Sequence, residues 1–145
     1  MTSAFVSDAA RNRFRRAYHA ALGHLPEPGT EHDVATRYGT VRAYRFGDGP
    51  GHPLVLLPGN GATTALWLPN IPQWSQHRTV LAVEPIGDAG PSTQDRPIRT
   101  AEDQGAWLAD TPRRLGTGPA HLVGPPTGPG WPRTSPCTTR TGSRR

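Results

Sequence analysis

Pro53-Leu54-Val55-Leu56-Leu57-Pro58-Gly59-Asn60-Gly61 is the stretch that decides the fold. Its apolar run has no alternation and stops at Pro58-Gly59, the pattern of a strand buried on both faces in a parallel sheet. Thr79-Val80-Leu81-Ala82-Val83 repeats it. Residues 63–76 between them carry Trp67, Ile71 and Trp74, and are predicted as a helix or helical turn interrupted by Pro69 and Pro72. The unit is strand, crossover, strand.

Upstream, residues 32–38 (HDVATRY) and 40–46 (TVRAYRF) flank Gly39 and alternate apolar with polar residues, which predicts a hairpin of half-exposed strands ended by Gly47 to Gly51. Before the Pro26-Glu27-Pro28-Gly29 linker, residues 8–22 set Ala10, Phe14, Ala17, Ala21 and Leu22 on one stripe between Asp8 and Gly23, an amphipathic helix. Its arginines fit a solvated face on a docked helix better than a membrane or nucleic-acid surface.

Downstream, residues 100–115 predict a second helix, with Thr100 as cap, Asp103 three residues on, and Ala106 and Trp107 ahead of Leu115-Gly116. Pro112 is expected to kink it or end it early. Ala120-His121-Leu122-Val123-Gly124 reads as a third short buried strand. Strands alternating with helices argue an α/β fold with a largely parallel sheet.

Charge adds little. The 145 residues carry a net +5, and every basic residue is Arg. Residues 1–124 hold twelve Arg against eleven acids, while residues 125–145 hold four Arg and no acid. Four Arg spaced along that tail, with Trp131 as its lone aromatic, are a thin nucleic-acid signature, so no nucleic-acid partner is expected. A single cysteine, Cys137, builds neither a disulfide within the chain nor a thiol metal site. Ala4-Phe5-Val6 is too short for a leader's apolar region, and no apolar run approaches the roughly 18 residues of a membrane span. A soluble, cytoplasmic chain without membrane partner, cofactor or metal is expected.

Four segments in this order, LLPGNG (56–61), VEPIGDAGPS (83–92), DQGAWLAD (103–110) and HLVG (121–124), resemble the α/β-hydrolase fold family. The resemblance implies the N-terminal half of that family's sheet, a β-hairpin followed by parallel strands with crossover helices. It also implies that Gly59, Asn60 and Gly61 form the turn feeding the oxyanion hole, with Asn60 giving a backbone N–H to the developing oxyanion. Glu84 stands where Asp is commoner and Pro91 where Arg is commoner; that loop shapes the rim, and neither Glu84 nor Ser92 is given a catalytic role.

After HLVG the family continues G-x-S-x-G, the strained elbow that lifts a nucleophilic Ser above the sheet. Here the elbow is disrupted: Gly124 and Gly128 hold the glycine positions, but Pro126 occupies the Ser position. Thr127 lies one position late, and His19, His24, His32, His52, His77 and His121 all precede the elbow, against the family's order of nucleophile, acid, base. No catalytic residue can be assigned.

Residues 125–145 contain no Leu, Ile, Val or Ala, although the preceding chain is rich in them. One reading is a disordered Pro/Arg/Thr-rich tail, because nothing there can bury a core. The other is a shifted reading frame. Restoring one nucleotide after the Gly124 codon lets the codons spell Gly-Ala-Ser-Tyr-Gly-Ala-Trp-Leu-Ala and then an apolar helix, the family's continuation. Most positions allow three or four residues, but the Ala at the junction of the Trp131 and Pro132 codons is forced. Restoring two nucleotides makes the second codon begin with C, which never encodes Ser.

The sequence therefore divides into residues 1–29, a helix and linker; 30–124, a partial, incomplete α/β-hydrolase domain; and 125–145, a tail that is disordered or out of frame. A truncated and inactive serine-hydrolase relative is expected, whose intact parent takes a small-molecule substrate with an ester, amide or related bond. The alternative is a non-enzymatic binding protein with a basic flexible tail. A complementing C-terminal chain would be a further partner, since the family's later strands cover the far side of the HLVG strand.

Overall fold

The computed structural model describes residues 5–25, 27 and 29–125. Helix α1 spans Asp8–Leu22, the expected bounds, and is capped by Ser7, whose hydroxyl accepts the Ala10 N–H at 3.2 Å. Its inner face is centred on Tyr18 rather than Ala17, which is exposed. Phe14, Tyr18 and Leu22 recur every four residues and share one face, and Tyr18 can go inside because its hydroxyl finds buried partners. The expected stripe took Ala17 for hydrophobicity alone.

Strands β1 (Thr30–Thr36) and β2 (Gly39–Phe46) form the antiparallel hairpin. Gly39 is required at its tip: φ is +143°, and a Cβ there would lie 2.0 Å from the Thr93 carbonyl oxygen. Strand β3 is Leu54–Leu56 and β4 is Val80–Val83, paired in parallel as the uninterrupted apolar runs predict. The crossover between them is a 3-10 turn, Thr64–Trp67, followed by the four-residue helix α2, Ile71–Trp74, because Pro69 and Pro72 leave no room for a continuous helix. A two-residue strand, β5 (Thr93–Gln94), pairs with β2 and had no sequence signal.

Helix α3 spans Ala101–Arg114 and opens with a complete capping box in which the Thr100 hydroxyl and the Asp103 carboxylate serve each other's backbone N–H groups. Pro112 does not stop it early: the helix runs two residues further, and the Thr111 hydroxyl donates to the Trp107 carbonyl at 2.9 Å. Strand β6, His121–Val123, pairs in parallel with β3.

The sheet order is β1-β2-β4-β3-β6, with β5 on β2. Apolar side chains cover both faces. On one, Trp107 of α3 is fully buried against Val34, Val41, Val55, Leu81 and Val83. On the other, Tyr18 packs with Tyr44, Phe46, Leu56, Ile71 and Val80. Among the described residues β6 is an edge strand, and no helix is long and apolar enough to cross a membrane. The expected disordered tail lies outside the described residues, apart from Pro125.

Candidate active site

The carboxyl ends of β3, β4 and β6 lie side by side, the edge at which open α/β sheets place ligands. Leaving β3, Leu57 donates its N–H to the Val123 carbonyl at 2.9 Å, and Pro58-Gly59-Asn60-Gly61 turns away from the sheet. The turn is closed by the Ala62 N–H on the Gly59 carbonyl at 3.0 Å. Gly61 has φ +71°, a conformation that side-chain-bearing residues rarely adopt. Asn60 is exposed at the tip.

Asn60 lines a groove of about 190 Å³ together with Ile86, Gly87 and Asp88 from the loop after β4, Gln94 of β5, Ile98 ahead of α3 and Gln104 within it. The Gly61 N–H faces the Asp88 carboxylate. Burial pushes the Asp88 carboxyl above its usual range, and that N–H acts in the opposite direction. Of the three turn residues, Asn60 lines the groove. Sequence reasoning did not find Asp88, Gln94 or Gln104. Asp88 and Gln104 left a trace, the first between the glycines of IGDAG and the second inside DQGAWLAD.

Glu84 follows β4 and is fully buried. Its main chain is held on both sides: its N–H donates to the Arg42 carbonyl at 2.9 Å, and the Ser92 hydroxyl donates to its carbonyl at 2.7 Å. Its carboxylate oxygen Oε1 accepts the Tyr18 hydroxyl at 2.6 Å and the Thr64 N–H at 2.9 Å. Burial raises the Glu84 carboxyl above its ordinary range, partly offset by the bonds from Tyr18 and Thr64. Gly90 makes room for it, since a Cβ there would stand 2.9 Å from Oε2. Both Glu84 and Ser92 are engaged in holding the loop.

Gly124 leaves β6 directly beside Leu57: a Cβ on it would lie 3.2 Å from the Leu57 carbonyl oxygen. Gly124, expected from the sequence to open the elbow, therefore adjoins the start of the Gly59 to Gly61 turn. Pro126 and Gly128 lie outside the described residues. No cluster of three or more His, Cys, Asp or Glu able to hold a metal ion occurs among the described residues.

No family model matches the chain. Among curated proteins it is 34% identical over 112 residues to carboxylesterase YbfK of Bacillus subtilis, a match covering 77% of this chain and 38% of that protein. It is 31% identical over 112 residues to the uncharacterized carboxylesterase nap of the same species, covering 77% and 37%. The solved structure of naproxen esterase (carboxylesterase NP) from Bacillus subtilis superposes with a TM-score of 0.75 at 31% identity, covering 83% of this chain and 42% of that one. The chain thus spans less than two-fifths of the length of the curated relatives it matches.

Proposed function

Because the chain has an α/β-hydrolase fold over its N-terminal part, as those carboxylesterases indicate, we propose that its intact parent is a serine hydrolase of carboxylic esters and that this chain performs no acyl transfer. One observation carries this reading: parallel pairing of β6 with β3 brings Gly124 against Leu57, so the elbow position opens beside the turn at Gly59, Asn60 and Gly61. A Ser two residues past Gly124 would attack the ester carbonyl there, and the Asn60 N–H would meet the oxyanion as it forms. The sequence has Pro126 at that position, which offers neither nucleophile nor N–H.

A one-nucleotide loss after the Gly124 codon accounts for both the missing Ser and the apolar-free composition of residues 125–145. The relatives' names favour a carboxylic ester over the amide or other bond that the fold alone would allow. Parallel assays with p-nitrophenyl acetate test this: the 145-residue chain should give the buffer rate, and the product of the gene with one base restored should give turnover with a Ser-dependent acyl-enzyme burst. Turnover by the 145-residue chain itself would overturn the proposal, and silence from both would favour a binding protein with a basic tail.

A further inference from the structure

We propose that Tyr18 of α1 is a positioning residue for the oxyanion turn, acting through Glu84. The inference rests on reading Gly59, Asn60 and Gly61 as that turn, but it concerns how the turn is held rather than what it binds.

Glu84 Oε1 is the shared acceptor of two segments far apart in the chain: the Tyr18 hydroxyl from α1 at 2.6 Å and the Thr64 N–H at 2.9 Å. Thr64 opens the 3-10 turn that follows Gly61-Ala62-Thr63, so whatever fixes its amide fixes the downstream end of the oxyanion turn. The Arg42 and Ser92 bonds to the Glu84 main chain leave its backbone little freedom to absorb a displacement. Gly90 packs against the side chain from the other direction. The carboxylate is therefore a fixed post with a helix tied to one side and the catalytic turn to the other.

The tie is strong for chemical reasons. A distance of 2.6 Å is at the short end for a hydroxyl donating to a carboxyl oxygen, and both partners are buried away from competing water. A fully buried carboxylate that loses one of two donors must find another or take up a proton, and either response weakens its hold on Thr64. Tyr18 and Tyr44 hydroxyls also lie 2.8 Å apart, and of the two it is Tyr18 that hydrogen-bonds Glu84. Phe14 stacks on Tyr18 with ring centroids 5.9 Å apart, so the docking of α1 sets where the hydroxyl sits.

Amide hydrogen exchange on the full 145-residue chain tests the proposal without any substrate, so its outcome is independent of whether the parent is an esterase. Tyr18→Phe keeps the ring and removes the hydroxyl; exchange at Thr64 and its neighbours should quicken about tenfold, the size of one lost bond to a charged group. The amides of Val80–Val83 should keep their wild-type rates. Tyr44→Phe should leave Thr64 within about twofold of wild type. Uniform acceleration across the sheet in Y18F, no change at Thr64, or equal effects in the two variants would each overturn the proposal. If Y18F does not accumulate, Phe14→Leu loosens α1 and keeps both hydroxyls: Thr64 exchange must then rise together with that of α1, and a wild-type rate at Thr64 contradicts the tie.

Discussion

Val123 lies opposite Leu56 in parallel register, and its carbonyl accepts the N–H of Leu57 at 2.9 Å. On the function proposed above, this pairing sets the oxyanion turn, which leaves one strand, beside the position where a nucleophile elbow would leave the other. The sequence keeps the glycines of the proposed turn and departs from the elbow pattern at Pro126.

The close fit of Gly90 to Glu84 should make Gly90→Ala an overpacked variant. Its Cβ would stand 2.9 Å from Oε2 and 3.4 Å from the Glu84 Cβ, while Oε1 is held by Tyr18 and Thr64. Urea unfolding should show a loss of about 1–3 kcal/mol; wild-type stability would mean that the carboxylate is free to move.

Trp107 is fully buried at the centre of the face covered by α3. Trp107→Ala should cost about 3–5 kcal/mol, much of the stability of a domain this size, and abolish a cooperative transition at room temperature. A sharp thermal transition in W107A would show that α3 contributes little.

The α3 capping box gives two readouts. Thr100→Ala removes the bond to the Asp103 N–H and should cost about 1 kcal/mol. The Asp103 carboxyl is held down to about 2, first by the Tyr38 hydroxyl at 2.7 Å and then by the Arg99 N–H. A carboxyl depressed by folding stabilises the fold above its ordinary value of 3.8, and that stabilisation is lost as pH falls through about 2. The difference between wild type and Asp103→Asn should therefore be level from pH 7 to about 5 and close between about 4 and 2.

Glu84 has the opposite sign. Burial raises its carboxyl, so the folded state binds the proton more tightly than the unfolded one, and its contribution is fully present below the ordinary value of 4.5 and falls as pH rises through the folded-state value. Denaturant midpoints of wild type and Glu84→Gln across that range should show wild type losing ground as pH increases. Parallel curves would mean that Glu84 titrates alike in both states.

Most of the fold was legible because its signals are local. The apolar runs at 53–57 and 79–83, Gly39 between alternating strands, and Thr100 with Asp103 each act within a few residues. What escaped depends on contacts distant in sequence. Tyr18 is buried only because Glu84, 66 residues later, takes its hydroxyl. Thr93–Gln94 is a strand only because β2 lies beside it. The turn at Pro58 to Gly61 could be read from its glycines and proline, whereas the groove wall at Asp88, Gln94 and Gln104 is assembled by tertiary packing and has no pattern of its own.

The central claim, that a Ser elbow is encoded beyond Gly124 but read out of frame, is tested most directly by resequencing the gene through the Gly124 codon and at least about 500 bases downstream, the coding length the remaining strands require. The account predicts that one restored base opens a continuous frame with Ser two codons past Gly124, and later Asp and His codons. A confirmed sequence in which no single-base change opens such a frame would contradict it.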